Sequence, residues 1–190
     1  MLKRVLPIVL IAVSFSYPVT LKFKCSLPAV NWLYLESEDK KQSEIGSWLM
    51  GIGCEWHCPK TLWFALNTDI LTTCLVPVLP TELRARDGLS EISVSAQAGM
   101  RFNRISFGAG PLNGRMYHVK TESVPSSHNG IRHVYSASIA GLILSGDFQF
   151  TDLIFLGLNY RPNIYNLSYG KFDYSHSLSL SLILKLSRNK

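Results

Sequence analysis

The sequence predicts an all-β chain: an eight-stranded, antiparallel, up-and-down transmembrane β-barrel. Three observations predict it. The chain opens on an export leader, several later stretches alternate apolar and polar residues with period two, and tight turns alternate with long polar connections.

The leader comes first. Met1-Leu2-Lys3-Arg4 is basic, Val5 to Val13 is almost wholly apolar, and Ser14-Phe15-Ser16 offers small residues at the positions a signal peptidase reads. That order marks a secretory signal peptide over residues 1–16, with the barrel domain over 17–190. The apolar run is shorter than the roughly 20 residues a spanning helix needs. The formal charge is +6, of which Lys3 and Arg4 supply part, and the remaining basic residues are scattered. Nucleic-acid binding wants a basic stripe or patch, so that partner class is excluded.

The strands follow from periodicity. In Ser175–Leu186, Leu178, Leu180, Leu182, Leu184 and Leu186 fall on one side, and Ser177, Ser179, Ser181 and Lys185 on the other; Ile183 is the exception. Successive side chains of a strand point to opposite faces, so this pattern is an apolar face backed by a polar one. Glu91–Phe102 repeats it, with Ile92, Val94, Ala96, Ala98, Met100 and Phe102 set against Ser93, Ser95, Gln97, Gly99 and Arg101. So does Leu153–Pro162, where Ile154, Leu156, Leu158 and Tyr160 oppose Gly157, Asn159 and Arg161. The first strand is less defined. It starts between Val19 and Val30 and ends near Ser37, with a kink or bulge expected at Pro28.

The connections fix the topology. Cys58-Pro59-Lys60, Asn103-Arg104 and Thr151-Asp152 read as tight hairpin turns. Between them lie longer segments, roughly 38–44, 76–90, 120–132 and 167–175. Eight strands joined in that rhythm carry all tight turns at one end, as outer-membrane barrels do with short periplasmic turns and long surface loops.

The face that meets lipid is a separate question, because a soluble lipocalin-type barrel is apolar inside. Phe102, Phe150 and Trp56 beside the tight turns, and Trp48, Tyr160 and Tyr174 near the loop ends, share the outward side and suggest two aromatic girdles. The Gly- and Ser-rich polar side suits a narrow lumen. Gly46-Ser47-Trp48 is the one lipocalin-like feature.

On these registers Glu55, Arg101, Asp147 and Lys185 point into the barrel near the tight-turn ends of alternate strands, with alternating signs that cancel. A buried unpaired charge costs several kcal/mol, so a salt-bridged plug is expected there. Asp69 and Arg161 are the candidate second pair. The sixth strand carries the register risk, since Tyr135, Ile139 and Ile143 fall inward while Ser136 and Ser138 fall outward. An apolar upper lumen would be lined by Leu35, Leu49, Ile139 and Ile143.

Such stretches, typified by Gly146-Asp-Phe-Gln-Phe-Thr-Asp-Leu-Ile-Phe-Leu-Gly-Leu-Asn-Tyr160, resemble hairpins of the small outer-membrane barrels: the OmpA transmembrane domain, OmpX, OmpW and the opacity adhesins. The resemblance covers roughly residues 19–187. It implies residence in the bacterial outer membrane, contact with outer-membrane lipid and its assembly machinery, and a non-enzymatic role in adhesion, host contact or envelope integrity, or passage of small hydrophobic solutes. It implies no cofactor. The ending Leu186-Ser187-Arg188-Asn189-Lys190 lacks the terminal aromatic residue common among these proteins.

Other chemistries are weakly supported. Outer-membrane lipid A deacylases use a His and a Ser one residue apart on a late strand, whereas His176 is adjacent to both Ser175 and Ser177. Adjacent strand residues face opposite ways, so neither serine is activated by a direct hydrogen bond. His118, His128 and His133 lie on or beside the third long segment as solvated histidines rather than metal ligands. Four cysteines in an exported chain raise disulfides first. If the first hairpin centres near residue 41 or 42, Cys25 lies opposite the region of Cys58, making Cys25–Cys58 or Cys25–Cys54 a candidate bridge; free lipid-facing thiols are the alternative. Cys74 belongs near the opposite rim.

Overall fold

In the computed structural model, residues 19–26, 31–37, 40–45, 47–58, 61–72, 88–122, 131–165 and 173–187 are described. The leader, Pro28, Cys74, His128 and the last three residues lie outside them. Among the described residues, ten strand segments form one closed antiparallel sheet. They are β1 (Val19–Ser26), β2 (Trp32–Ser37), β3 (Lys40–Ile45), β4 (Trp48–His57), β5 (Leu62–Thr72), β6 (Gly88–Phe102), β7 (Ile105–Glu122), β8 (Ile131–Gln149), β9 (Ile154–Tyr165) and β10 (Asp173–Ser187). Because β1 with β2, and β3 with β4, each make one stave, the barrel has the eight staves expected. Among the described residues no helix is long and apolar enough to cross a membrane.

Closure can be followed residue by residue. Lys22 pairs with Gly53, and the row continues through Asn67, Ser95, Leu112, Gly141 and Asn163 to Ser175 on β10. Lys22 also pairs with Lys185 on that same strand. The row therefore returns ten residues away from its start. This stagger inclines the strands by roughly 40° to the barrel axis.

The first stave is broken, as its proline suggested. Ser26 pairs with Ser181, but Trp32 pairs with Leu178, so the register against β10 shifts between them. Asn31 stitches the break: its Nδ2 donates to the Ser47 carbonyl and to Ser26 Oγ, both at 2.5 Å, and its Oδ1 accepts from Leu180 N at 3.2 Å. Ser26 Oγ accepts in turn from Leu49 N at 2.6 Å. Side chains replace ladder bonds that the interrupted strand cannot make, as buried backbone groups require.

The turns confirm the hairpin reading, with two differences. Asn103 has φ of 54°, the left-handed conformation that a two-residue hairpin loop demands and Asn tolerates. The β8–β9 turn is longer than its Thr-Asp centre. It spans residues 150–153, and Thr151 Oγ1 accepts from Ile154 N at 3.0 Å. The segment 38–44 is not a loop: most of it belongs to β3, which pairs with β2 up to Ser37 and Lys40.

The barrel is inside out relative to a soluble protein. Leu142, Leu158, Leu178, Leu182, Leu184 and Phe107 are among many exposed apolar residues, while Ser93, Asn67, Asn159, Ser177 and Ser181 are buried. A lipocalin has the opposite arrangement. Replacing Asn31 with Ala removes the stitch and leaves Leu180 N without its partner; the folded barrel should lose about 1–3 kcal/mol in equilibrium urea unfolding, one or more buried hydrogen bonds' worth.

Candidate functional site: the charged lumen

Alternation along each strand delivers the interior residues. On β10, Ser175, Ser177, Ser179, Ser181, Ile183 and Lys185 are all buried, so Ile183, the break in the leucine–serine pattern, is a lumen residue packed beside Phe155. On β8, Ile139, Ile143 and Asp147 are buried while Ser136 and Ser138 face out, so the register with these isoleucines inside is the one adopted. The side chains of Leu35 and Tyr135 lie outside the described set.

At the tight-turn end, Glu55 is the hub. Its carboxylate accepts from Lys22 Nζ at 2.9 Å, Lys185 Nζ at 3.0 Å, His57 Nε2 at 3.1 Å and Arg101 NH2 at 3.3 Å. Asp147 lies 3.2 Å from Lys185 Nζ and 3.7 Å from Lys22 Nζ. The four residues singled out from the sequence, Glu55, Arg101, Asp147 and Lys185, thus come together around this hub. Lys22 joins them and upsets the zero balance: three cations face two carboxylates, before any charge on His57. The Lys22 ammonium also lies 5.4 Å from the centroid of the buried Trp63 ring. That indole fits because Gly99 and Gly108 flank it; a Cβ on Gly108 would sit 2.3 Å from Trp63 Cη2.

The expected Asp69–Arg161 pair is not formed. Asp69 instead takes Lys24, with Nζ at 2.7 Å from Oδ1 and 2.9 Å from Oδ2. Arg161 pairs with Glu91 and donates to Ser93 Oγ. The reason is the register of β1, which the sequence left open. Lys24 pairs with Gly51, and Gly51 pairs with Asp69, so Lys24 reaches across a residue without a side chain. A Cβ at Gly51 would stand 2.0 Å from Asp69 Oδ1. Lys22, Lys24 and Glu91 were nonetheless legible. Thr20, Lys22, Lys24 and Ser26 alternate with Leu21, Phe23 and Cys25, and Glu91 shares the parity of Ser93 and Ser95.

An apolar layer closes the lumen further along. Leu49, Leu71, Leu112, Met116, Ile139 and Ile143 form one buried cluster, with Leu49 and Leu71 one residue from the loop ends of their strands.

The remaining candidates resolve as follows. Phe102, Phe150 and Tyr174 are exposed on the outer side, and Trp48 and Tyr160 are partly so, but Trp56, of the same parity, is only 8% exposed and differs from the expected girdle. His176 also faces out, where its ring stacks on Tyr160 and Nδ1 lies 2.9 Å from the tyrosine hydroxyl. Ser175 and Ser177 are buried inside, so no Ser–His pair forms within the strand. Among the described residues no group of three His, Cys, Asp or Glu is placed to hold a metal. The expected disulfide does not fit. Cys25 pairs with Met50, and Cys54 with Leu21, so Cys58 lies about eight residues, ~26 Å, along the strand from Cys25's partner. Even Cys54 is four residues off, ~13 Å, beyond the ~7 Å a bridge allows between Cα atoms. Cys25, Cys54 and Cys58 are free thiols. The bridge fails because the hairpin centres nearer 38 than 41, and the first stave is offset at its break.

Two substitutions test this account. Glu55→Gln leaves Lys22 and Lys185 buried with only Asp147 between them and should cost about 3 kcal/mol, whereas Arg101→Gln, at a side chain 28% exposed, should cost under ~1 kcal/mol. Gly51→Ala should break the Lys24–Asp69 pair and lower the thermal midpoint measured by circular dichroism in detergent, while the same change at Gly146, where a Cβ has ordinary room, should not.

No protein-family model matches this chain, and no curated protein matches it in sequence. Its structure is similar to that of Neisserial surface protein A, with 13% identity over 88% of this chain and 97% of that one, at a TM-score of 0.56. It is also similar to Ail, the attachment invasion locus protein of Yersinia pestis, with 8% identity over 90% and 99% of the two chains, at a TM-score of 0.57. With its closed antiparallel staves, polar interior and apolar exterior, the chain has the fold of the small eight-stranded outer-membrane β-barrels.

Proposed function

We propose that this chain is an integral outer-membrane barrel that acts without catalysis, presenting its loop end for contact with host or envelope molecules. One observation carries the reading. On β7 the outward side runs Ile105, Phe107, Ala109 and Pro111 and then turns polar at Asn113 and Arg115; on β8, Leu144, Leu142 and Ala140 give way to Ser138 and Ser136. Beyond that change the two strands stay paired to Glu122 and Ile131. With about 9–11 residues of β7 inside the hydrocarbon, this leaves roughly 25 Å of ribbon outside it at about 3.3 Å per residue. A strand needs only about 9–11 residues to cross the hydrocarbon, so the excess length of β7 and β8 serves something outside it.

Similarity to a surface protein and to an attachment-invasion protein supports that placement. The interior argues against free passage: the charge cluster at one end and the apolar cluster at the other make a plug in series, filled further by Trp63, Phe155 and Ile183. A narrow path for small hydrophobic solutes would have to run through Leu49, Leu71, Met116 and Ile139, which are packed against one another.

Refolded protein in detergent should migrate anomalously on gels until boiled and give no discrete conductance steps in planar bilayers. Deleting residues 119–134, which trims the ribbon tip, should leave gel behaviour intact and abolish binding to host-cell surfaces or extracted envelope lipid. Steady channel openings, or undiminished binding without the tip, would refute the reading.

A further inference from the structure

The tight-turn mouth of the barrel is a cleft of about 200 Å³ between Thr20, His57, Arg101, Gln149, Phe155 and Lys185. Its electrostatics are unbalanced. Lys22, Lys185 and Arg101 bring three positive charges to a place where Glu55 and Asp147 supply two negative ones. Both carboxylates are buried and already taken by the lysines, so the surplus resides at the outermost cation, Arg101. Its side chain and that of His57 are each 28% exposed, against 3% for Lys185.

Arg101 is also under-used. A guanidinium has five N–H donors in a planar fork. Among the described residues it makes one hydrogen bond, to Glu55 at 3.3 Å, longer than the 2.7–2.9 Å usual for a charge-assisted pair. The Glu55 contact is joined by a cation–π one: the guanidinium carbon lies 5.5 Å from the centroid of the Phe155 ring, over which the Lys185 ammonium also sits at 4.4 Å. Among the described residues the one carboxylate at the rim, Asp152, is exposed and screened by solvent, and accepts weakly from Gln149 Nε2 at 3.4 Å. Gln149 thereby adds an amide to the same cleft as Arg101.

We propose that this mouth binds a small oxyanion, a phosphate or carboxylate group presented from the tight-turn side, through the Arg101 guanidinium with the Gln149 side-chain amide as a second donor. The inference goes beyond the surface role and needs only the closed barrel. Arg–oxyanion recognition is bidentate and favourable where the guanidinium is pre-positioned and partly desolvated, and both conditions are met here. The site takes a terminal group, not a polymer, because Trp63 and the Glu55 cluster close the lumen behind it.

The test is titration of inorganic phosphate, and separately of succinate, into the folded full-length chain in non-ionic detergent. Chloride holds ionic strength constant, and the backbone amide signals of His57, Arg101 and Gln149 are followed. The proposal expects saturable shifts confined to this rim for at least one of the two anions, with the other identifying which oxyanion is preferred. Arg101→Gln should weaken binding about tenfold, the worth of one charged hydrogen bond, and Arg101→Lys should recover part of that loss. Asp152→Asn, which removes the competing rim carboxylate, should tighten it about twofold. Anomalous gel migration of each variant confirms that it folds. Shifts that never saturate, that chloride reproduces, or that persist unchanged in Arg101→Gln overturn the proposal.

Discussion

Glu55 organises the tight-turn end of this barrel because donors from three other strands, Lys22 on β1, Arg101 on β6 and Lys185 on β10, converge on its carboxylate. Those strands flank β4 on both sides, β1 and β10 one way and β6 the other, so the carboxylate ties together the staves around the β1–β10 closure. The requirement is physical. A ring of strands whose outer side is apolar must put its polar side inward, and charges there have no solvent to hydrate them. They must find one another, and the stagger of ten residues decides which ones meet. The interior networks record the register: a one-residue slip of any stave would turn its charges outward.

That constraint also explains the glycines. In a narrow lumen, some large or ionic groups fit only where the residue opposite has no side chain. Gly51 makes room for the Lys24–Asp69 bridge, and Gly99 and Gly108 for Trp63. Glycine on the polar side of these strands is part of the packing, not a weakness in it.

Much of the architecture was legible in the residues. Alternation in 91–102, 153–162 and 175–186 placed nearly every lumen residue of those strands, and the charges at Glu55, Arg101, Asp147 and Lys185 followed from parity alone. What parity cannot supply is which stave lies across from which at a given height, because that depends on registers summed around the barrel. Hence parity alone pairs Asp69 with Arg161, where the barrel pairs them with Lys24 and Glu91, and it leaves Lys22 and Lys24 unplaced on a stave whose start the sequence leaves open. The disulfide failed for a related reason: hairpin arithmetic assumes an unbroken first strand, and Asn31 bridges a break. Trp56 shows the remaining gap, since outward parity does not guarantee exposure.

The loop end and the tight-turn end of the barrel differ in build. One carries a ribbon extending past the apolar band; the other is sealed by charge. Both rest on the outer surface meeting acyl chains, and a reporter on that surface tests it most directly. Leu182 lies mid-strand on β10 and is 52% exposed. A tryptophan placed there, in protein reconstituted into vesicles, should add blue-shifted emission that bromine-labelled acyl chains quench strongly and an aqueous quencher does not. Emission at the wavelength of a water-exposed indole, quenched from the aqueous phase alone, would contradict the account.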